Sequence, residues 1–151
     1  MSMKSLPVLV FASLVLMGCA HTENLSSEQT PQFSAPFTLA LEKPVTVGNL
    51  VVKLQKVEDS RCPMNAMCIR QGSAITYLQL QDTRGNEATK TLYLGDALPA
   101  PDNRGMRSAD TVLVSMGPRQ YQLILSEVQP YPNTANTSPA EKTAKIEVRA
   151  L

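Results

Sequence analysis

The chain has no tryptophan, one histidine and few aromatic residues, 5% of the total. An aromatic-lined pocket or a histidine-rich metal site is therefore not expected. Basic and acidic residues nearly balance, at 14 and 13, and their numbers become equal once Lys4 in the N-terminal leader is set aside. Because nucleic acids and acidic membrane surfaces are bound through an excess of Lys and Arg, we expect neither as a partner.

The N-terminal segment has the features of an export signal. Lys4 supplies a basic start, and Leu6 to Met17 form an almost unbroken apolar run. This run is shorter than the roughly 20 residues that a membrane-spanning helix needs. Residues 1–18 are therefore predicted to be a signal peptide, which takes no part in the fold.

The apolar run ends in Leu16-Met17-Gly18-Cys19, which resembles the lipobox of bacterial lipoprotein precursors. The resemblance implies that the Cys19 sulfur receives a diacylglyceryl group and that Cys19 becomes the first residue of the mature chain. Several acyl chains on one residue give a durable anchor, whereas one chain binds a membrane only marginally. By the same resemblance, Ala20 in place of an aspartate favours the outer membrane, facing the periplasm.

Residues 19–36 are polar and rich in Ser, Thr, Gln and Pro, with Leu25 and Phe33 as their only large apolar side chains. Such a segment cannot bury enough apolar surface to order itself. We predict a lipidated, flexible tether that connects the membrane to one folded domain at residues 37–151.

After Pro36 the apolar period changes to two, which is typical of strands with one buried face. Strands are predicted near residues 37–41, 50–57, 74–81, 89–94, 111–116, 121–128 and 144–148, separated by Gly, Pro and Asn turn signals. Val57 lies out of step with Leu54, which predicts a β-bulge. The pattern predicts an all-β fold, an antiparallel immunoglobulin-like sandwich of seven or eight strands, with a small closed barrel as the alternative.

Residues 95–110 are predicted to be an irregular surface loop in which Arg104 and Arg107 are solvated.

The other two cysteines, Cys62 and Cys68, lie in a short loop between two predicted strands. An odd cysteine count in an exported chain normally indicates a free thiol, but a lipid on Cys19 leaves an even pair. In an oxidising compartment this pair is expected to form a disulfide. Closing so short a ring stabilises the fold by about 2 kcal/mol in the chain-entropy model, and its simplest role is to staple two strands together.

The segment around this ring resembles part of a group of small uncharacterised bacterial lipoproteins. The similar stretches are Asp59-Ser60-Arg61-Cys62-Pro63, Cys68-Ile69, Gly72-Ser73-Ala74, and the later Val128 to Pro132. In that group an aromatic residue, often Trp, lies near the second cysteine, where this chain has Arg70. The resemblance implies a fold and a location in the cell envelope, but no chemistry, because the group has no established function.

The sequence does not indicate an enzyme. His21 lies in the tether, and both cysteines of the domain are expected to be oxidised, so no nucleophile has a base held beside it. A carboxylate pair from Glu58-Asp59 with Asp96 or Asp110 is conceivable, but acids at strand ends are more commonly solvated or cap backbone N–H groups. We expect no cofactor and no resident metal, and predict a lipid-anchored envelope lipoprotein that binds a protein or glycan or has a structural role.

Two alternative functions use the ring. Met64 and Met67, exposed on a preorganised loop with Arg61, Asn65 and Arg70, could inhibit an exported hydrolase by filling its cleft. The thioethers of Met64 and Met67 are also soft ligands of the kind that Cu(I) prefers. A disulfide removes both thiolates, however, and methionines commonly fill gaps in small loops. Copper handling is therefore the third hypothesis.

Overall fold

The computed structural model describes residues 34–102, 104–135 and 140–151. The predicted signal peptide, the lipidation site Cys19 and the tether up to residue 33 lie outside the described residues. Ser34 already belongs to the folded domain, because its backbone N–H and its hydroxyl both donate to the Val148 carbonyl, at 3.1 and 2.8 Å.

The described residues form two antiparallel sheets and no helix. The strands are β1 (Phe37–Ala40), β2 (Val45–Val47), β3 (Leu50–Asp59), β4 (Ser73–Asp82), β5 (Glu87–Asp96), β6 (Met106–Arg107), β7 (Asp110–Met116), β8 (Arg119–Gln129) and β9 (Thr143–Ala150). Sheet I has the order β1-β9-β8-β7, and sheet II has the order β2-β3-β4-β5-β6. Apart from an isolated bridge between Leu41, just after β1, and Leu54 of β3, no described strand of one sheet pairs with a strand of the other. The closed barrel is therefore wrong, and the antiparallel sandwich is confirmed.

The core lies between the two sheets and contains the residues whose alternation predicts the strands. In β3, Leu50 and Leu54 are fully buried, and in β8 so are Leu123 and Leu125. Each buried leucine stabilises the fold by about 2 kcal/mol relative to an exposed one. The same cluster includes Leu39, Val52, Ala74, Leu78, Leu80, Leu92, Leu94, Val114, Met116, Tyr121, Val128, Ala144, Ile146 and Val148.

The predicted bulge in β3 is confirmed, because the register with β4 shifts between Leu54 and Lys56. A second shift lies between Leu125 and Glu127 in β8. The second bulge has the same sequence signal as the first, namely two apolar residues that lie three positions apart. Here these residues are Leu125 and Val128, and both are buried. A bulge inserts one residue and so returns the next apolar side chain to the core face.

Two short strands were not predicted. β2 is three residues long and β6 is two residues long, which is too short for a period-two pattern to be recognised. β6 pairs with the end of β5, where Gly95 faces Arg107 and Asp96 faces Met106. The segment from 95 to 110 is therefore not entirely irregular, and it carries the chain from sheet II to β7 in sheet I.

The expectation that Arg107 is solvated is wrong. Its side chain is 6% exposed and donates to Asp102 at 2.6 Å and to Asp110 at 3.1 Å. Asp110 also accepts the N–H of Tyr93 at 2.9 Å, and the half-exposed Arg104 donates to both carboxylates. Because Asp110 begins β7 and Tyr93 lies in β5, this carboxylate joins the two sheets. Hydrogen bonding from Arg107 holds the pKa of Asp102 well below its ordinary value.

Replacing Arg107 by Met should lower the free energy of unfolding by roughly 3 kcal/mol, because it leaves the buried Asp110 charge with fewer partners. The matched control is Arg84→Ala. Arg84 is half exposed and lies 3.9 Å from Asp82, so its loss should cost less than about 1 kcal/mol. Urea unfolding measures both values, and equal losses would contradict the assignment of Arg107 as a buried link.

Candidate functional site

The Cys62–Cys68 ring lies at one end of the sandwich. We call this end the ring pole and define it as residues 60–72, 97–102, 104–106 and 130–134, all of which lie at strand ends that face the same way. The opposite end, the attachment pole, carries the turns at 48–49, 83–86 and 117–118. Ser34 bonds to Val148 at the far end of β9, close to where Ala150 pairs with Tyr121. The described chain therefore enters the domain at the attachment pole.

The predicted disulfide is present, with the Cα atoms of Cys62 and Cys68 5.9 Å apart. The N–H of Cys62 donates to the Gln71 carbonyl at 2.7 Å, which closes the loop behind the ring. The N–H of Ala66 donates to the Pro63 carbonyl at 3.0 Å, which makes a turn inside it. The backbone of the loop is thus tied at its base and at its tip.

The segment that follows β8 braces the ring from the side. The N–H of Met64 donates to the Pro132 carbonyl at 3.1 Å. The side chain of Asn65 accepts the N–H of Thr134 at 2.9 Å. Since loop 60–72 extends from sheet II and residues 130–134 follow sheet I, both sheets hold the ring.

Beneath the ring, the Asp59 carboxylate is shared by two cations. Arg61 donates to it through Nε at 2.8 Å and Nη2 at 2.7 Å, and Lys142 donates through Nζ at 2.7 Å. The Asp59 and Arg61 side chains are only 5% and 9% exposed. Arg61 also reaches the Val128 carbonyl at 2.9 Å, and Lys142 reaches the Pro130 carbonyl at 2.6 Å. One buried ionic cluster therefore connects the end of β3 with the end of β8.

Burial raises the pKa of the Asp59 carboxyl, but hydrogen bonds from Arg61 and Lys142 outweigh this effect and leave the pKa below its ordinary value. Asp59 is thus held as an anion rather than as a proton donor. The other three acids considered for a catalytic carboxylate pair each form an ion pair with a cation. Glu58 pairs with Lys56, Asp96 with Arg70, and Asp110 with Arg104 and Arg107.

Gly72 allows the two ends of the loop to meet. Its φ is +67°, in the left-handed region, and a Cβ at this position would lie 1.9 Å from the Ser60 carbonyl oxygen. Any side chain would collide with backbone there, so the close approach requires glycine. The guanidinium of Arg61 lies 4.3 Å from the centre of the Tyr131 ring, which fixes this aromatic side chain beside the loop.

The five predicted binding-loop residues divide into two groups. Met64 and Met67 are exposed, and Arg70 is half exposed and bonded to Asp96 at 2.6 Å. The side chains of Arg61 and Asn65 instead hold the loop in place. Sequence reasoning missed further exposed or groove-lining residues at this pole, namely Ile69, Gln71, Leu98, Met106 and Tyr131.

Comparison of the chain with protein-family models, curated proteins and solved structures gives no match. In the described ranges, no group of three or more His, Cys, Asp or Glu side chains could hold a metal ion. The same ranges contain no helix long and apolar enough to cross a membrane. What the ring pole offers chemically is a fixed backbone with exposed thioether and aliphatic groups, which suits binding.

Replacing Asp59 by Asn should destabilise the protein by roughly 3 kcal/mol at pH 7, because Arg61 and Lys142 lose the charge that they share. Since the folded-state pKa of Asp59 lies below its unfolded value of about 3.9, this contribution is complete above that value and disappears as the pH falls through the folded pKa. The difference between wild type and variant in urea unfolding should therefore shrink below about pH 4. A difference that stays constant down to pH 2 would contradict the ionic role.

Proposed function

We propose that the protein is a lipid-anchored, non-catalytic module of the bacterial cell envelope that binds a partner through its ring pole. The observation that carries this proposal is the braced Cys62–Cys68 loop, which holds Met64 and Met67 in solvent on a fixed backbone. A preorganised loop loses little conformational entropy on binding, so its exposed apolar groups can contribute to affinity.

The position of Ser34 supports the proposed anchor. With a lipid on Cys19, residues 19–33 would connect the membrane to the attachment pole. Fully extended, these residues span about 50 Å, enough to lift the domain clear of the lipid headgroups. The ring pole, at the other end of the sandwich, would then face the aqueous compartment, which we propose to be the periplasm beneath the outer membrane.

The chemistry of the described acids supports a non-catalytic role. The pKa of Asp59 lies below its ordinary value, and hydrogen bonds from Asn86 and from the Arg84 N–H likewise lower the pKa of Asp82 within a hairpin turn. Buried acids that stay ionised in this way are poor proton donors. The disulfide likewise withdraws both cysteine sulfurs of the ring from nucleophilic chemistry.

Inhibition of an exported hydrolase is the second candidate, and the shape of the ring favours it. Met67 and Ile69 are fully exposed on a loop whose ends continue into β3 and β4 of sheet II and which residues 130–134 brace from sheet I. A rigid projecting loop of this kind can enter an enzyme cleft with little loss of entropy. Copper handling receives support only from Met64 and Met67, which line the same hollow, because thioethers suit Cu(I).

Mass spectrometry of the protein extracted from bacterial membranes should find a chain that begins at Cys19 with acyl groups on it. Replacing Cys19 by Ser should remove the acyl groups from the measured mass, because the sulfur that would carry the diacylglyceryl group is then absent. Substitution of the neighbouring His21 by Ala is the matched control and should leave the acyl groups in place. A wild-type chain that retains its leader, or that carries no acyl group at Cys19, would contradict the anchor.

The double substitution of Met64 and Met67 by Ser should abolish inhibition of any hydrolase that the wild-type protein inhibits. Each buried methionine contributes about 2 kcal/mol at a contact, so the inhibition constant should rise at least a hundredfold. The control is Leu113→Ser, which changes an exposed apolar residue of β7 away from the ring. An unchanged inhibition constant would remove the ring from this function.

A further inference from the structure

We propose that the ring pole carries a two-part groove that binds an extended, uncharged segment of a partner protein through two apolar side chains. This inference rests on the proposed function and names its binding surface and the chemistry of its partner. It arises from residues that are far apart in sequence and that the fold brings to one end of the sandwich.

Exposed apolar side chains are concentrated at the ring pole. Of the large hydrophobic residues exposed in the described ranges, five lie there: Met64, Met67, Ile69, Leu98 and Met106. The other two are Leu113 in β7 and Leu151 at the attachment pole. Contiguous apolar surface on a soluble domain marks an interaction site, whereas isolated apolar residues need no explanation. Methionine suits such surfaces because its side chain adapts its shape to the group that it contacts.

Two hollows at this pole adjoin each other. The first, of about 670 Å³, is lined by the disulfide ring with Met64 and Met67. The second, of about 410 Å³, lies between β5, β6 and the end of β8, and Leu94, Met106 and Val128 line it. Gln71 and Tyr131 line both hollows, so the two form one groove with a divider. Each hollow is large enough for an aliphatic or aromatic side chain.

The divider is fixed and offers a hydrogen-bonding group. Arg61 stacks on Tyr131, and the Gln71 carbonyl accepts the N–H of Cys62. The Gln71 side chain is exposed and has no hydrogen-bond partner among the described residues. A primary amide both donates and accepts, so Gln71 can pair with the backbone of a peptide that crosses the divider from one hollow to the other.

The charges around the groove indicate an uncharged occupant. Arg61 and Lys142 share Asp59, Arg104 and Arg107 share Asp102 and Asp110, and the more exposed Arg70 pairs with Asp96. Glu127 lines the second hollow, where its carboxylate accepts a hydrogen bond from Gln129. Counted together, the cations and the anions around the groove are equal in number. The groove therefore has no net charge with which to attract a charged segment. Burying a charged side chain there without a partner would also cost free energy.

Other occupants fit the groove less well. The chain preceding Ser34 enters at the opposite pole, about 33 Å away along the ten residues of β3. Its only large apolar residues between Cys19 and Ser34 are Leu25 and Phe33; Phe33 directly precedes Ser34, and Leu25 alone cannot fill two hollows. Two copies tethered to the same membrane would have their attachment poles on the same side, so a two-fold contact between their ring poles requires one domain to turn over against its tether. In the proposed arrangement the membrane lies on the side of the attachment pole.

The chain contains its own probes for a binding experiment. After the leader it has four methionines, of which Met64, Met67 and Met106 line the groove and Met116 is buried in the core. We would label the methionine methyl groups with ¹³C in the mature lipoprotein held in phosphatidylcholine nanodiscs. The probes are capped peptides with two leucines separated by one to four alanines, together with matched peptides that contain one leucine or replace both leucines by aspartate.

The proposal predicts that the methyl signals of Met64, Met67 and Met106 shift on titration while that of Met116 does not. One spacing of the two leucines should bind at least tenfold more tightly than the peptide with one leucine, since a second buried leucine contributes about 1.5 kcal/mol or more. The aspartate peptide should not bind. Gln71→Ala and Met106→Ser should each weaken binding about tenfold, and Leu113→Ser should leave it unchanged.

Several results would overturn the proposal. One is that no methionine methyl signal shifts at millimolar peptide. Another is that the peptides with one and with two leucines bind with equal affinity, and a third is that the affinity is the same at every spacing of the two leucines. Shifts that appear with phosphatidylglycerol vesicles in place of peptide would assign the groove to a membrane, and shifts that depend on protein concentration alone would assign it to a second copy. Because the lipid on Cys19 is measured separately by mass spectrometry, failure of the groove can be distinguished from failure of the anchored module.

Discussion

The ring pole depends on the Asp59 carboxylate and on the two cations that share it. A carboxylate this deeply buried is stable as an anion only if hydrogen bonds and opposite charge replace the water that it has lost. Arg61 and Lys142 supply both, and each then reaches a carbonyl at the end of β8 or just beyond it. The same interaction thus satisfies a buried charge, closes the base of the loop and ties sheet II to sheet I. The disulfide adds a constraint to a loop whose base is already fixed.

The fold places the proposed attachment and the proposed binding surface at opposite ends of the sandwich. Antiparallel strands of similar length place their connections at two ends, and the described chain enters at one of them while the ring and most exposed apolar side chains occupy the other. In a protein anchored as proposed, the binding surface would face away from the membrane and would not compete with the lipid for contact. The balanced charges around the groove leave shape and apolar contact as the main sources of affinity, so the proposed binding should depend only weakly on salt.

Much of the fold could be predicted from alternation alone. Leu50, Val52 and Leu54, like Tyr121, Leu123 and Leu125, lie inside as the period of two requires. The bulge near Val57 was also visible, because an apolar residue out of step must return to the core. β2 and β6 were missed because their length gives no period. The expectation for Arg107 was wrong because a charged residue in a loop rich in Pro and Gly has the local sequence of a surface residue. Its burial depends on Asp110 of sheet I, which binds Arg107 and also accepts the N–H of Tyr93 in sheet II.

The site was only half predictable for a similar reason. Met64 and Met67 lie between Cys62 and Cys68 in the sequence. A disulfide ring this short has no interior, so side chains within it are expected to be exposed. Met106, Leu98 and Tyr131 lie at the same pole because of how β5, β6 and β8 are placed in the two sheets. A single sequence does not reveal this placement. Arg61 and Asn65 have polar side chains on the loop, yet their partners, Val128 and Thr134, are more than sixty residues away.

The central claim is that the ring is a rigid part of the fold, and backbone ¹⁵N relaxation of the mature protein tests it most directly. The account predicts order parameters for residues 62–71 close to those of β3 and β4, about 0.85. Values below about 0.6 across the ring, with β3 and β4 rigid, would contradict it.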